Sequence, residues 1–358
     1  LGRPAGIIQN FNAVNTFRQN GKAAEAAASG VSSRGVVSFD VPNAVCPAYT
    51  LYCIYPAAIN PQGDITGSYI DPAEGQQGFI RYASGTFVKF NVPGSSCCVT
   101  PVGIDLEGTV AGYFTDANSI THGFLRYATG HISIFDPKGS ISTAPAGINA
   151  LGDVAGSYTD ANYFTHGFIR HANGVVITFD PAGSTVTSPA AINLAGTTIG
   201  YYDDSSFQQH GFVRSANGSV ASFDPDDATY IYPLGINLFG DVTGYYLVFS
   251  FPPFTVTQSS FLRDVRGNLT TITVPGSQAT ATSAISLAGV IVGGYIAPDG
   301  SCPAFLRQPS GSFSSFAPAG AQINEGHCVN PTAISDLNVV IGNYVDQNGV
   351  QRGFFRIP

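Results

Sequence analysis

One sequence unit returns seven times in this chain, so its fold must place seven similar pieces in similar surroundings. Anchored on an isoleucine, the copies start at Ile59, Ile104, Ile148, Ile192, Ile236, Ile285 and Ile334, in steps of 45, 44, 44, 44, 49 and 49 residues. A glycine stands eight residues after every anchor, from Gly67 to Gly342, and an aromatic ten after, from Tyr69 to Tyr344. A Phe-x-Arg pair follows, from Phe79 and Arg81 to Phe354 and Arg356. A period of about 40–50 residues built from short alternating segments marks a propeller or a related repeat fold.

Unit 4 shows the pattern within one copy. Residues 189–193 are a short apolar run, and a turn at 194–196 leads into 197–202. A polar loop and the His-Gly-Phe-Val-Arg string at 210–214 follow, then Ala216-Asn217-Gly218, a hairpin signal. Residues 219–224 complete the unit before Pro225 stops the pairing. This predicts four antiparallel strands, A to D, forming one blade.

The seventh unit ends after its C strand, while a D-type segment, residues 35–42, precedes the first unit. Pairing the two removes an open sheet edge. The prediction is therefore an all-β, seven-bladed β-propeller of four-stranded blades over 35–358, with its last blade closed by the N-terminal strand. Residues 1–34 form an extension outside it.

The repeated residues read as scaffold. The glycine of strand B is expected to admit an adjacent sheet, and the aromatics to fill the space between blades. Asn or Asp after the anchor in five units is placed to bond its own backbone and start the A–B turn. The Arg of each Phe-x-Arg pair is expected to bridge to an Asp or Asn ending strand D, such as Asp40, Asn91, Asp136, Asp180 or Asp224. Exposed pairs of that kind contribute about 0–1 kcal/mol.

Composition narrows the function classes. A net charge of −8 with no basic stripe argues against nucleic acid as partner. No apolar run approaches the roughly 20 residues needed to span a bilayer as a helix. The chain begins Leu-Gly-Arg and holds no Met, which reads as a processed form whose leader has been removed.

Six cysteines point to an oxidising compartment and to disulfides rather than zinc, because no C-x-x-C spacing or ordered His partner is present. Cys46, Cys53, Cys97, Cys98, Cys302 and Cys328 all fall in D–A or B–C connections, which emerge on one face of a propeller. Cys302–Cys328 is the expected pair. The other four fit either Cys46–Cys53 with a vicinal Cys97–Cys98, or crosswise links between neighbouring loops.

Candidates for chemistry are few. His122, His166 and His210 open strand C in three successive units, but the equivalents are Gln77, Ser259, Pro303 and Arg352, so no ligand ring exists and a structural hydrogen-bonding role is expected. The Asp-Ala-Asn turns at 116–118 and 160–162 lack the further acidic ligands of a calcium loop. No metal or cofactor motif occurs. Glu325 and His327, in the long connection entering unit 7, form the best acid–base candidate.

Departures from the repeat are the stronger leads. The B–C loop of unit 5, residues 247–256, is longer than its equivalents and carries Phe249, Phe251 and Phe254. It either presents a patch for a partner or ligand or folds over the channel mouth. The N-terminal extension holds Ile7, Ile8 and Phe11, and packs either on its own propeller or head to tail on a neighbouring copy.

The strings His-Gly-Phe-Leu-Arg (122–126), His-Gly-Phe-Ile-Arg (166–170) and His-Gly-Phe-Val-Arg (210–214), with the upstream Ile-Asn, resemble the extracellular repeats of the HAF family, which carry a His-Ala-Phe core. The resemblance covers 35–358 and implies a secreted bacterial repeat protein, with no catalytic set to carry over. The leading expectation is a secreted, non-enzymatic binding or assembly module whose partner is itself or another extracellular protein. The alternatives are a lyase or hydrolase acting on a glycan or small metabolite at the channel mouth, and a multivalent lectin.

Overall fold

The computed structural model describes residues 31–44, 53–252, 254–324 and 326–358. The described residues contain strands and no helix. Units 1, 2, 5 and 6 each form a four-stranded antiparallel sheet in chain order. Units 3 and 4 form two such sets, joined by a single parallel pair, Thr165 with Val186.

Unit 4 consists of Ser184–Ile192, Thr198–Asp204, Gln209–Arg214 and Val220–Phe223. Strands B, C and D lie where the pattern puts them. Strand A starts earlier than expected, because Ser184 pairs with Asp204 across an irregularity before Val186. The strand B glycine faces Pro189 of strand A at a second irregularity, and a Cβ on Gly200 would overlap the Ser188 carbonyl oxygen. The glycine therefore admits the neighbouring strand of its own sheet, not an adjacent sheet as expected. The same clash, against the equivalent backbone, holds for Gly67, Gly112, Gly156, Gly244, Gly293 and Gly342.

The end of the chain pairs with its beginning. Val36–Phe39 lies antiparallel to Gln351–Arg356, from Val36 opposite Arg356 to Phe39 opposite Gly353. Ser32 continues the contact by bridging to Phe316 of unit 6. Units 7 and 1 also pack together. Phe39 and Ile341 share a core cluster with Ile54, Ile65 and Phe79, and the Thr332 hydroxyl donates to the Pro56 carbonyl at 2.6 Å.

Two ladders run from unit to unit. The first uses the polar residue after the anchor, whose Oδ1 accepts from its own turn as expected. Its amide also crosses to the next unit: Asn60 donates to the Asp105 carbonyl (3.2 Å), Asn149 to Asn193 (3.1 Å) and Asn193 to Asn237 (2.9 Å). Asp105 has no amide to donate.

The second ladder corrects the expected Arg–Asp bridges. Each guanidinium instead lies over the strand D phenylalanine of the preceding unit: Arg126 over Phe90 (5.1 Å), Arg170 over Phe135 (5.1 Å), Arg214 over Phe179 (4.8 Å) and Arg263 over Phe223 (5.2 Å). Arg356 and Arg81 stack likewise on Phe316 and Phe39. For Arg307 the preceding residue is Ile272, so no aromatic is offered. An Arg over an aromatic ring gains cation–π attraction and covers apolar surface with its stem. Burial lowers the pKa of Arg81, Arg214, Arg263 and Arg356, and the Nε of each has no hydrogen-bond partner among the described residues.

The Phe of the Phe-x-Arg pair forms the core proper. Phe79, Phe124, Phe168, Phe212, Phe261, Phe305 and Phe354 are all fully buried.

Candidate functional site

The cysteines were expected on the face where the D–A and B–C connections emerge. Cys302 and Cys328 are disulfide-bonded, tying the B–C loop of unit 6 to the connection entering unit 7. Cys97 and Cys98 form a vicinal disulfide at the start of strand A of unit 2, with Cys98 at a φ of 68°. Cys53 is disulfide-bonded as well, and Cys46 lies outside the described residues.

Between the strands A of units 1 to 4 lies a cavity of about 250 Å³. Its wall alternates fixed and variable positions. The fixed ones are the repeated prolines, Pro101, Pro145 and Pro189. The variable ones flank them, four residues before the anchor and nine after, and face each other across strands A and B. These pairs are Tyr55 with Ser68, Thr100 with Tyr113, Ala144 with Ser157, and Ser188 with Tyr201, and all of these but Ser68 and Tyr201 line the cavity. Units 5, 6 and 7 hold Tyr232 with Tyr245, Ala281 with Gly294, and Asn330 with Asn343.

No two units carry the same pair, although the residues beside them hardly change. Tyr232 lies 4.9 Å from Tyr245 and 6.0 Å from Tyr201, ring centre to ring centre. Burial pushes the Tyr113 and Tyr245 phenols above their ordinary range, so both stay protonated.

The B–C loops form the second variable region. In units 2, 3 and 4 the loop is one tight turn closed by the Asp that ends strand B. Asp160 Oδ1 accepts the amides of Asn162 (2.8 Å) and Phe164 (3.0 Å), and Asp204 Oδ1 those of Ser206 (2.7 Å) and Gln208 (2.9 Å). Hydrogen bonding of this kind, led by the amides of Ile120, Phe164 and Gln208, holds Asp116, Asp160 and Asp204 below the usual carboxylate range.

The fourth residue of the turn takes the left-handed conformation, which favours glycine. Units 6 and 7 meet that demand with Gly300 and Gly349. Units 3 and 4 place Tyr163 (φ 68°) and Phe207 (φ 63°) there, with 81% and 85% of each residue exposed.

Unit 5 extends this exposed aromatic series. Its insertion is not a loop but a longer hairpin: Val242–Ser250 pairs with Thr255–Arg263 as far as Ser250 opposite Thr255. Phe249 packs partly buried against Tyr230 at 5.4 Å. Phe251, at the tip, is 73% exposed, and Phe254 beside it is also exposed. The repeated motifs do not single out Tyr163 or Phe207. The aligned turns do, since both fall where units 6 and 7 have Gly300 and Gly349.

The three aligned histidines make hydrogen bonds to aspartates of their own unit, as expected. His122 Nδ1 lies 2.7 Å from Asp136 and its Nε2 3.7 Å from Asp116, tying strands B, C and D together. His166 spans Asp180 and Asp160 in the same way, and His210 spans Asp224 and Asp204. In unit 7 Arg352 takes the position, with Nε 2.8 Å from Asp346 and Nη1 paired to Asp40 of the closing strand. Burial opposes protonation of His166 and His210, but their Asp partners outweigh it and leave both above the ordinary imidazole range.

Of the remaining site candidates, His327 is half-buried, its amide donating to the Asn324 carbonyl at 3.1 Å, while Glu325 lies outside the described residues. Ile7, Ile8 and Phe11 lie outside them too. Among the described residues no helix is long and apolar enough to cross a membrane, and no cluster of His, Cys, Asp and Glu is arranged to hold a metal.

No protein-family model matches the chain, and no curated protein matches it. Solved structures do. A streptogramin B lyase aligns over 90% of this chain and 97% of its own, at 14% identity and a TM-score of 0.58. Virginiamycin B lyase from Staphylococcus aureus aligns over 90% and 99%, at 13% identity and 0.57. The β-propeller domain of the Trilobed protease from Pyrococcus furiosus aligns over 86% and 94%, at 11% identity and 0.58. Likeness at such identities is a likeness of fold: the chain is a β-propeller.

Proposed function

We propose that the chain is a closed seven-bladed propeller, an exported protein of the HAF-repeat kind, and that it serves as an assembly module rather than an enzyme. The pairing of Val36–Phe39 with the last unit, and the core shared by units 7 and 1, support closure. All five described cysteines are disulfide-bonded, which fits an oxidising compartment.

The observation that carries the functional reading is the pair Tyr163 and Phe207. A bulky residue in the left-handed region costs about 1–2 kcal/mol. With most of their surface exposed, neither ring recovers that cost by packing in the isolated chain. Together with Phe164, Phe251 and Phe254 they give three successive blades an aromatic rim, the composition of a contact surface. The contacts join copies of this chain, with residues 1–34 as a second contact element.

Negative-stain electron microscopy tests this on three proteins: the native chain, one lacking residues 1–34, and a Tyr163→Ser/Phe207→Ser/Phe251→Ser variant. Assemblies of the native chain that fall apart into single discs in the aromatic variant are expected. Single discs from the native chain, or assemblies that survive the triple substitution, would overturn the proposal.

A further inference from the structure

The aromatic rim carries charge of one sign, and this narrows what it can meet. Asp160 ends strand B of unit 3, Asp203 and Asp204 end that of unit 4, and Asp226 and Asp227 stand exposed in the connection from unit 4 to unit 5. No Lys or Arg occurs in residues 159–165, 203–209 or 247–258, the B–C loops of units 3 to 5, or in the connections between those units, 180–186 and 224–230. His166 and His210 each sit between two carboxylates, so even an imidazolium offsets only one of the two. The exposed rings of Tyr163, Phe207 and Phe251 therefore stand in a negative field.

Such a rim is a poor partner for itself. Two copies facing rim to rim would bring their carboxylates together with no cation between them, and like charges across an interface oppose contact. The surface it meets on another copy is therefore a different one, with apolar side chains for the rings and cations for the carboxylates.

Residues 1–30, which lie outside the described residues, are the stretch of this chain with that composition. They hold Arg3, Arg18 and Lys22 against one acid, Glu25, among Ile7, Ile8, Phe11, Val14 and Phe17. Elsewhere the arginines of the Phe-x-Arg pairs belong to the repeat, Arg352 is held by Asp40 and Asp346, and Arg34, Lys89, Lys138 and Arg266 are far apart in the sequence. Arginine over an aromatic ring is also the contact by which neighbouring units of this chain already join, at 4.8–5.2 Å for Arg126, Arg170, Arg214 and Arg263.

The origin of the segment fits as well. Val31 packs against the core of units 6 and 7, and Ser32 bridges to Phe316 of unit 6, whereas the rim belongs to units 3 to 5. A donor and an acceptor on different units make a heterologous contact, which each added copy can repeat.

We infer that the aromatic rim is the seat of residues 1–30 of a second copy, with their apolar side chains against Tyr163, Phe207 and Phe251 and their cations among the carboxylates. This rests on the assembly reading and adds that the two contact elements meet each other, arm to rim, in a head-to-tail row.

Two variants of the full chain test it by sedimentation velocity. Arg3→Glu/Phe11→Ser/Arg18→Glu alters the arm and keeps the rim, while Tyr163→Ser/Phe207→Ser/Phe251→Ser alters the rim and keeps the arm. Each alone is expected to self-associate at least about tenfold more weakly than the native chain. Mixed in equal amounts they should associate again, but only as pairs, because each pair retains one intact arm and one intact rim.

An arm variant that assembles like the native chain overturns the inference alone. So does a mixture of the two folded variants that stays single, or grows beyond pairs, while the native chain assembles. A native chain that stays single, or a rim variant that assembles as the native chain does, overturns the assembly reading and this inference with it.

Discussion

The A–B turns and the B–C loops make the same demand on the chain and answer it differently. Both are tight turns whose fourth residue takes a positive φ. In the A–B turns that residue is glycine in six units, from Gly63 to Gly289, and Asn338 in the seventh. In the B–C loops it is glycine in units 6 and 7 but Ser119, Tyr163 and Phe207 in units 2, 3 and 4. One end of each unit obeys the conformational preference throughout, and the other departs from it on consecutive blades. The difference shows where the scaffold's demands stop deciding the residue.

The scaffold side should be the more fragile. Phe212 is fully buried, and Phe212→Ala is expected to cost about 3–5 kcal/mol in chemical denaturation, unlike any change at Phe207 five residues earlier. A loss below about 1 kcal/mol would show that the repeated core is not what holds the units together.

The amide ladder predicts a gain. Asp105 is buried, burial raises its pKa, and it breaks the series of cross-unit donors that Asn60, Asn149 and Asn193 form. Asp105→Asn restores a donor towards the Asn149 carbonyl and removes a buried charge, so it should stabilise by about 1–2 kcal/mol at neutral pH. A raised folded-state pKa means stability that is present at low pH and lost as pH rises through that pKa. The gain should therefore shrink on acidification to below the ordinary carboxylate value, and a gain independent of pH would leave only the hydrogen bond as its cause.

The smallest effect concerns the clamps on strand C. His166 and His210 have raised pKa values, so their contribution is complete below the unfolded imidazole value of 6.5 and lost as pH rises through the folded one. Arg352 makes the same clamp in unit 7 with a charge that does not titrate there. Calorimetry of the native chain should therefore show the melting temperature falling between pH 6 and pH 8, and His166→Arg/His210→Arg should flatten that fall. An unchanged slope would show that the His–Asp pairs are screened out in solution.

Much of this architecture was legible in one sequence. A single isoleucine anchor located the strands of every unit, and the displaced segment at 35–42 located the strand that completes the last. Position alone paired Cys302 with Cys328. The Arg–Phe ladder was not legible, because Arg126 and Phe90 lie 36 residues apart and meet only once two units stack. An Asp on the adjacent strand was the nearer partner in sequence, and it is engaged by histidine instead.

Phe251 and Phe254 stand out in the sequence as a departure from the repeat, but Tyr113, Tyr163 and Phe207 do not. Attention to what repeats hides the positions that vary beside it, such as Tyr113 next to Gly112, or Phe207 where Gly300 and Gly349 stand.

The most direct test of the central claim, that Tyr163 and Phe207 are kept for contact at the expense of stability, is a paired measurement on Tyr163→Gly/Phe207→Gly. Chemical denaturation should show a gain of about 0.5–1 kcal/mol per site, as glycine relieves the left-handed backbone. Sedimentation of the same sample should show self-association lost. A variant that is less stable than the native chain, or that associates as the native chain does, would show that the two rings serve the fold.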